Sequence, residues 1–172
     1  MNTQIALLRG INVGGKHIVP MKELTKLMED AGYTNVKTYI QSGNVVFQST
    51  TENGNDIGQL IEGKWGFKPH IFILSKEDLE KAAADNPYET DEGKTVHFFF
   101  FDIEPQSPDF ELLDSLKADS EEYKLIDKVF YLYAPDGIGR SKMVEKVGKA
   151  FKGVTMTARN LNTINKLLEM VS

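Results

Sequence analysis

The same order of strand and helix signals is written into this chain twice. Residues 4–84 read strand, helix, strand, strand, helix, strand, helix, and residues 95–171 read the same string at similar lengths, without residue-level identity. Few folds satisfy such a pattern. A βαββαβ unit is the split βαβ arrangement, an antiparallel four-stranded sheet with its helices on one face. Repetition of one unit along a chain is the mark of internal duplication. The expected fold class is therefore α+β: two βαββαβ ferredoxin-like halves packed together, with mostly antiparallel sheets and an extra terminal helix in each half. A single larger mixed sheet would accept the same string and is the alternative. The polar break from Asn86-Pro87-Tyr88 to Lys94 sets off a first half, 1–86, from a second, 94–172, with a linker at about 87–93.

The individual signals are local. Residues 5–9 open with a continuous apolar run that reads as a buried strand. Pro20 suits a first helical position, Met21, Leu24, Leu27, Met28 and Ala31 repeat on one helical face, and Gly32 ends that helix. Residues 36–41 and 44–48 are strands joined by a tight turn at Ser42-Gly43. Residues 50–55 read as loop, and Asp56 as the cap of a short helix carrying Ile57, Leu60, Ile61 and Trp65, closed by Gly66. Residues 69–74 form a strand, and Ser75 with Asp78 makes a capping-box-like start to a helix over 76–84. In the second half, 95–101 is the most apolar strand and must be central. Pro108 opens a helix with Phe110, Leu112, Leu113 and Leu116. Strands 123–126 and 129–134 turn at Asp127-Lys128, and Pro135-Asp136-Gly137 is a further turn. A helix follows over 140–151 with Met143, Val144, Val147 and Phe151 inward, ended by Gly153. Strand 154–157 and helix 161–171 complete the string.

Composition narrows the functional classes. A chain of 172 residues makes one domain, or two small ones sharing a core. With 25 acidic against 20 basic residues it does not coat nucleic acid by bulk charge, although a local basic patch stays open. Cysteine is absent, which excludes disulfides, thiolate nucleophiles and Cys-ligated metal centres. The chain enters a strand at once, without the charged and apolar regions of a secretory signal. Its longest apolar run, 96–101, is far below the ~20 residues a spanning helix needs. The expectation is a soluble cytoplasmic protein of a bacterium, off the membrane, as a monomer or an edge-paired homodimer.

One loop concentrates the chemistry: Arg9-Gly10-Ile11-Asn12-Val13-Gly14-Gly15-Lys16-His17. Its glycines let backbone amides approach a ligand, and it adds two cationic heads. Gly10 to Lys16 fits the spacing G-x-x-x-x-G-K of a phosphate-binding loop. His17 stands where that motif needs Ser or Thr for magnesium, and Pro20 delays the helix whose dipole would face the phosphate. The motif therefore does not make an NTPase, and a Gly-rich connection that turns the chain is the structural alternative.

The three arginines, Arg9, Arg140 and Arg159, each adjoin Gly or Asn at a strand–helix junction. Arg there binds carboxylate or phosphate bidentately, or else holds the junction itself. Ser141-Lys142 is not a nucleophile–base pair, because adjacent helical residues diverge by about 100°; Ser141 reads as a helix cap. Lys142, Lys146, Lys149 and Lys152 form a basic stripe interrupted by Glu145, and such stripes are usually solvated. Phe98, Phe100, Tyr131 and Tyr133 match the aromatic sheet face of RNA-binding modules, but alternate strand aromatics are more often core. His17, His70 and His97 are scattered, so no metal site and no cofactor are expected. Gln41, Ser42 and Asn44 give the first hairpin a polar tip.

Leu7 to Lys16 followed by Val19-Pro20-Met21 resembles the opening signature of domain-of-unknown-function family 1697. Residues 38–47 are similar to that family's second block. Gly139-Arg140-Ser141-Lys142 and residues 157–163 resemble its later blocks, with Leu161 where the family has Trp. The resemblance covers nearly the whole chain and implies two ferredoxin-like halves and no particular activity. It marks Arg9, Asn12, Gly14, Lys16, Gln41, Ser42, Asn44, Lys142, Arg159 and Asn160 as a signature set.

Three functional expectations follow. The first is a binding module in which Arg9, Asn12, Gly14, Gly15, Lys16, Gln41, Ser42, Asn44, Arg140, Lys142, Arg159 and Asn160 take an anionic small molecule or nucleic acid, that is, a nucleotide, a phosphate metabolite or a short nucleic-acid segment. The second is an enzyme at the same loop, assisted by substrate or by a metal the substrate brings. The third is a scaffold or interaction protein in which these loops lock the halves together.

Overall fold

In the computed structural model, residues 2–50 and 55–172 are described. The first set of elements is β1 (Asn2–Leu8), α1 (Met21–Asp30), β2 (Thr34–Tyr39), β3 (Asn44–Ser49), α2 (Asn55–Trp65), β4 (Ile71–Ser75) and α3 (Lys76–Ala84). The second is β5 (Val96–Phe101), α4 (Phe110–Leu116), β6 (Glu122–Ile126), β7 (Val129–Tyr133), α5 (Lys142–Glu145), α6 (Val147–Ala150), β8 (Met156–Asn160) and α7 (Leu161–Val171). They build two antiparallel four-stranded sheets of matching order, β2-β3-β1-β4 and β6-β7-β5-β8. This is the expected α+β, twice-repeated βαββαβ fold, and not the single mixed sheet that the same element string would accept.

The duplication extends to single hydrogen bonds. The amide of Leu8 donates to the Gly43 carbonyl at 2.9 Å, and that of Phe101 to the Lys128 carbonyl at 2.9 Å. One residue later, Arg9 N–H donates to His70 and Asp102 N–H to Thr155, each at 3.0 Å. Each pair ties the end of a central strand to the residue before each flanking strand. The centres of the two sheets are thus laid out by the same register.

Each sheet packs one face against its helices. Ala6 and Leu8 of β1 and Val45 and Phe47 of β3 meet Leu24 and Met28 of α1 and Ile57 and Ile61 of α2. In the second set Phe99, Phe101, Phe130 and Leu132 meet Leu113 of α4, Met143 of α5 and Val147 and Ala150 of α6. Every side chain of this kind that is fully buried contributes roughly 1.5–3 kcal/mol of transfer free energy. Residues on the opposite faces, Ile5, Leu7, Phe98 and Tyr131, are buried too, which is why the central strands read as unbroken apolar runs. Phe98, Phe100 and Tyr131 are core, and the Tyr131 hydroxyl donates to the Ala82 carbonyl at 2.6 Å.

The chain divides into two compact units, Met1–Lys81 with Leu167–Ser172, and Ala82–Lys166; α3 and α7 each cross that division. Among the described residues no helix is long and apolar enough to cross a membrane.

Several local details differ from the sequence reading. The first hairpin turns over four residues, 40–43, rather than at Ser42-Gly43 alone, since Tyr39 pairs directly with Asn44. Ile40 takes a positive φ of 50° to begin that turn. Pro20 is the cap of α1 rather than its first residue, and Asp56 lies in the first turn of α2, which begins at Asn55. The rest of the loop expected at 50–55, residues 51–54, lies outside the described residues. The helix expected over 140–151 is a 3₁₀ turn at Ile138–Arg140 followed by two single turns, α5 and α6, broken at Lys146. The amides of Lys146 and Lys149 bond to carbonyls three residues back, so the break leaves them satisfied. The last strand runs over Met156–Asn160 instead of 154–157, which moves Arg159 and Asn160 from a junction onto β8.

Candidate functional site

The loop between β1 and α1 is a small hairpin. Val13 and Lys16 form an antiparallel bridge, and Gly14 and Gly15, with φ of 61° and 72°, occupy the turn between them. Two successive positive φ values match the turn type that closes short hairpins, which explains the glycine pair. Asn12, itself at φ 55°, fastens the base. Its amide N–H donates to the His17 carbonyl at 3.0 Å. Its side-chain Oδ1 accepts from Val19 N–H at 2.7 Å, while Nδ2 donates to the carbonyls of Val19 at 3.0 Å and Gln41 at 2.7 Å. One side chain therefore links both legs of the loop to the tip of the β2–β3 hairpin. Gly43 lets the two come close: a Cβ there would sit 2.9 Å from Leu8 Cβ and from Ile11 Cδ1.

This geometry is not a phosphate-binding loop of the NTPase kind. Lys16 sits in a hairpin leg, five residues before α1 begins at Met21. What it does is present Arg9, Gly14, Gly15, Lys16 and His17 as exposed residues, with Gln41 and Ser42 exposed on the neighbouring tip. Asn44 is fully buried and donates to the Tyr39 carbonyl at 3.1 Å, so it holds the hairpin rather than facing outward.

Three loops meet at this end of the first sheet: 9–20, 40–43 and 66–70. Leu7 pairs with Asn44, and Leu8 with Ile71, which brings the loop ends together. The His17 ring stacks on Phe67 with centroids 4.4 Å apart. The three loops contain Arg9, Lys16 and Lys68, as well as His17 and His70, and no Asp or Glu, in a chain that holds 25 carboxylates. Glu23 in the first turn of α1 is engaged by Lys64 at 3.8 Å. The equivalent end of the second sheet has the opposite charge. Loops 102–109, 127–128 and 151–155 carry Asp102, Glu104, Asp109 and Asp127 against Lys128 and Lys152. Asp102 accepts from Thr155 N–H at 2.8 Å and Asp109 caps α4 through Leu112 N–H at 3.1 Å. Phe67, Lys68 and His70 escape a reading confined to motifs. The signal that finds them is the absence of acid from three loops that share one sheet end.

In the second sheet, loop 134–141 and the end of β8 leave at the end where β5 begins, since Val96 pairs with Tyr133 and His97 with Asn160. Arg140 and Lys142 are exposed there. Ser141 is the N-cap of α5, accepting from Val144 N–H at 3.2 Å. Arg159 is buried: its Nη1 donates to Thr157 Oγ1 at 2.9 Å and to the Ala158 carbonyl at 2.8 Å. Burial pushes this guanidinium down to about 10. In the paired register Arg159 faces Phe98 where the first sheet sets the half-buried Leu74 against Ile5, so a charge stands where the first sheet has an aliphatic side chain. Asn160 starts α7, accepting from Thr163 N–H at 3.0 Å. His97 is likewise buried; among the described residues its Nδ1 has no hydrogen-bond partner, and burial lowers its pKa.

At the other end of β1 lies a cleft of about 500 Å³ lined by Asn2, Thr3, Gln4, Ile73 and the start of α3. Two amides there are already engaged: Ser75 Oγ accepts from Asp78 N–H at 3.0 Å and Asp78 Oδ2 from Ser75 N–H at 3.2 Å. Among the described residues no three His, Asp or Glu side chains come together as a metal site.

Comparison with known proteins agrees with the fold. A solved structure of a conserved bacterial protein from Streptococcus pneumoniae superposes with a TM-score of 0.71 at 23% identity, covering 99% of each chain. At that identity the likeness concerns architecture alone. No curated protein matches. The model of the family described as protein of unknown function DUF1697 matches residues 1–131, which takes in the Gly-rich loop, the first hairpin and the whole first sheet. The chain belongs to that family, DUF1697.

Proposed function

We propose that this protein is a binding module for an anionic ligand, a nucleotide, a phosphate metabolite or a short nucleic-acid segment, held at the acid-free end of the first sheet. The observation that supports it is that three contiguous loops hold Arg9 and Lys16 on one and Lys68 on another, without one carboxylate, in an acidic chain. Fixed donors bind anions better than mobile ones, because less ordering is left to do on binding. The Asn12 clamp supplies that rigidity, and Gln41 and Ser42 supply neutral hydrogen bonds beside the charges. Arg159 and Asn44 are assigned to the fold in this reading, since both are buried and bonded to neighbouring backbone.

A thermal-shift screen of nucleotides, phosphorylated metabolites and short RNAs tests it. A ligand at about 100 times its Kd stabilises the folded state by about 2.7 kcal/mol, a shift of several degrees. Lys16→Gln, at an exposed position, is expected to melt like wild type when unliganded and to lose most of the shift. If no anion in the screen moves the wild-type melting temperature, the proposal fails.

A further inference from the structure

The two sheets present equivalent ends with opposite charge, and both ends are apolar as well. Among the described residues six large apolar side chains are well exposed. Val13, Ile18 and Ile40 lie on the basic end of the first sheet. Ile103 and Phe110 lie on the acidic end of the second, in loop 102–109 and at the first residue of α4. Their exposures run from 38% to 65%. Only Ile138 falls elsewhere. Exposed apolar side chains grouped with charge are the makeup of an interface rather than of ordinary surface.

We infer that this protein associates head to tail, the basic end of one copy's first sheet receiving the acidic end of another copy's second sheet. Like charge opposes pairing of either end with itself, so neither end supports a symmetric dimer. Opposite charge brings the unlike ends together and sets their register, and burial of Val13, Ile18 and Ile40 against Ile103 and Phe110 supplies the holding energy. A contact between two different surfaces of one chain is heterologous, so it closes into a ring or runs on as an open chain. The inference goes beyond the anion-binding proposal and needs no small ligand.

Sedimentation velocity of the full chain tests it, at about 0.01 M and about 1 M salt, where screening lengths are about 30 Å and about 3 Å. The mass is expected to rise above the monomer with protein concentration at low salt, and to return to the monomer at high salt. Lys16→Glu alone and Glu104→Lys alone should each stay monomeric at low salt. Their equimolar mixture should associate again, because each variant supplies the end the other lacks. A wild type that stays monomeric at low salt overturns the inference, as do single variants that associate like wild type or a mixture that stays monomeric. Both positions are exposed. Melting curves check that each variant folds, with Lys16→Gln and Glu104→Gln in place of one that does not. Anion binding is measured in parallel on Glu104→Lys, whose basic end is intact. Loss of association with anion binding retained separates this inference from the proposed function.

Discussion

Asn12 and Gly43 both hold the first sheet's loops together, and they act by different means. Asn12 makes three strong side-chain bonds, at 2.7, 2.7 and 3.0 Å, and replaces backbone partners that the loop otherwise lacks. Asn12→Ala leaves the Val19 amide, on a buried residue, without its acceptor. It is expected to lose about 1–3 kcal/mol in urea denaturation. Gly43 acts by having no side chain. At φ +94°, with Leu8 and Ile11 atoms 2.9 Å from a would-be Cβ, Gly43→Ala meets both backbone strain and a clash. It should lose more stability than Gly15→Ala, which has open space and faces only the left-handed backbone cost of about 1–2 kcal/mol. Equal losses in the two denaturation curves would contradict this account. The loop's glycine content was plain in the sequence, but which glycine faces a wall of side chains was not, because Leu8 and Gly43 are far apart along the chain.

At the scale of elements, the capping box of α3 carried through, while the expected starts of α1 at Pro20 and of α2 after Asp56 each moved by a residue or two. Ser75 and Asp78 exchange the two bonds of a capping box at the start of α3, as the spacing predicts. Ser75→Ala is expected to cost about 1 kcal/mol, read as a lower urea midpoint; an unchanged midpoint would show the box contributes nothing. Such boxes are legible because all their atoms come from four consecutive residues. The break at Lys146 was not legible. Met143, Val147, Ala150 and Phe151 are all buried at helical spacing, so periodicity alone reads one helix where packing against β7 and α4 accommodates two separate turns. The shift of β8 has the same origin. Its residues are chosen by pairing with His97–Phe101, and the alternating run Val154-Thr155-Met156-Thr157 carries no mark of where that register begins.

For the molecule as a whole, burial couples stability to pH through His97. Its pKa is lowered in the folded chain, so the unfolded chain binds more protons just below the ordinary value of 6.5. The stability that this neutral histidine contributes is full above pH 6.5 and is lost as pH falls through the lowered folded value. The urea midpoint is therefore expected to drop between pH 7.5 and pH 5, and His97→Gln should flatten that slope. A slope identical in the variant would remove His97 as the cause. Whole-molecule organisation was also where the duplicated string proved most informative. Two sheets of identical strand order match βαββαβ written twice, and the paired bonds at Leu8 and Phe101 and at Arg9 and Asp102 extend the repeat to individual backbone groups.

The repeated order of elements, the apolar faces of α1 and α2, the Ser75 cap and the isolation of one Gly-rich loop were determined by the sequence itself. Each rests on contacts within a few residues, or on a hydrophobic period that leaves one face for the core. Tertiary structure alone decided which loops share an end. It joined residues 9–20 to 40–43 and 66–70 through the pairing of β1 with β3 and β4, and so turned scattered cations into one acid-free surface. It also drew Arg159 inward to the place of an aliphatic side chain, while leaving Arg9 and Arg140 exposed. Three arginines with similar neighbours in sequence end in different surroundings because burial is fixed by strand register, which couples residues far apart along the chain.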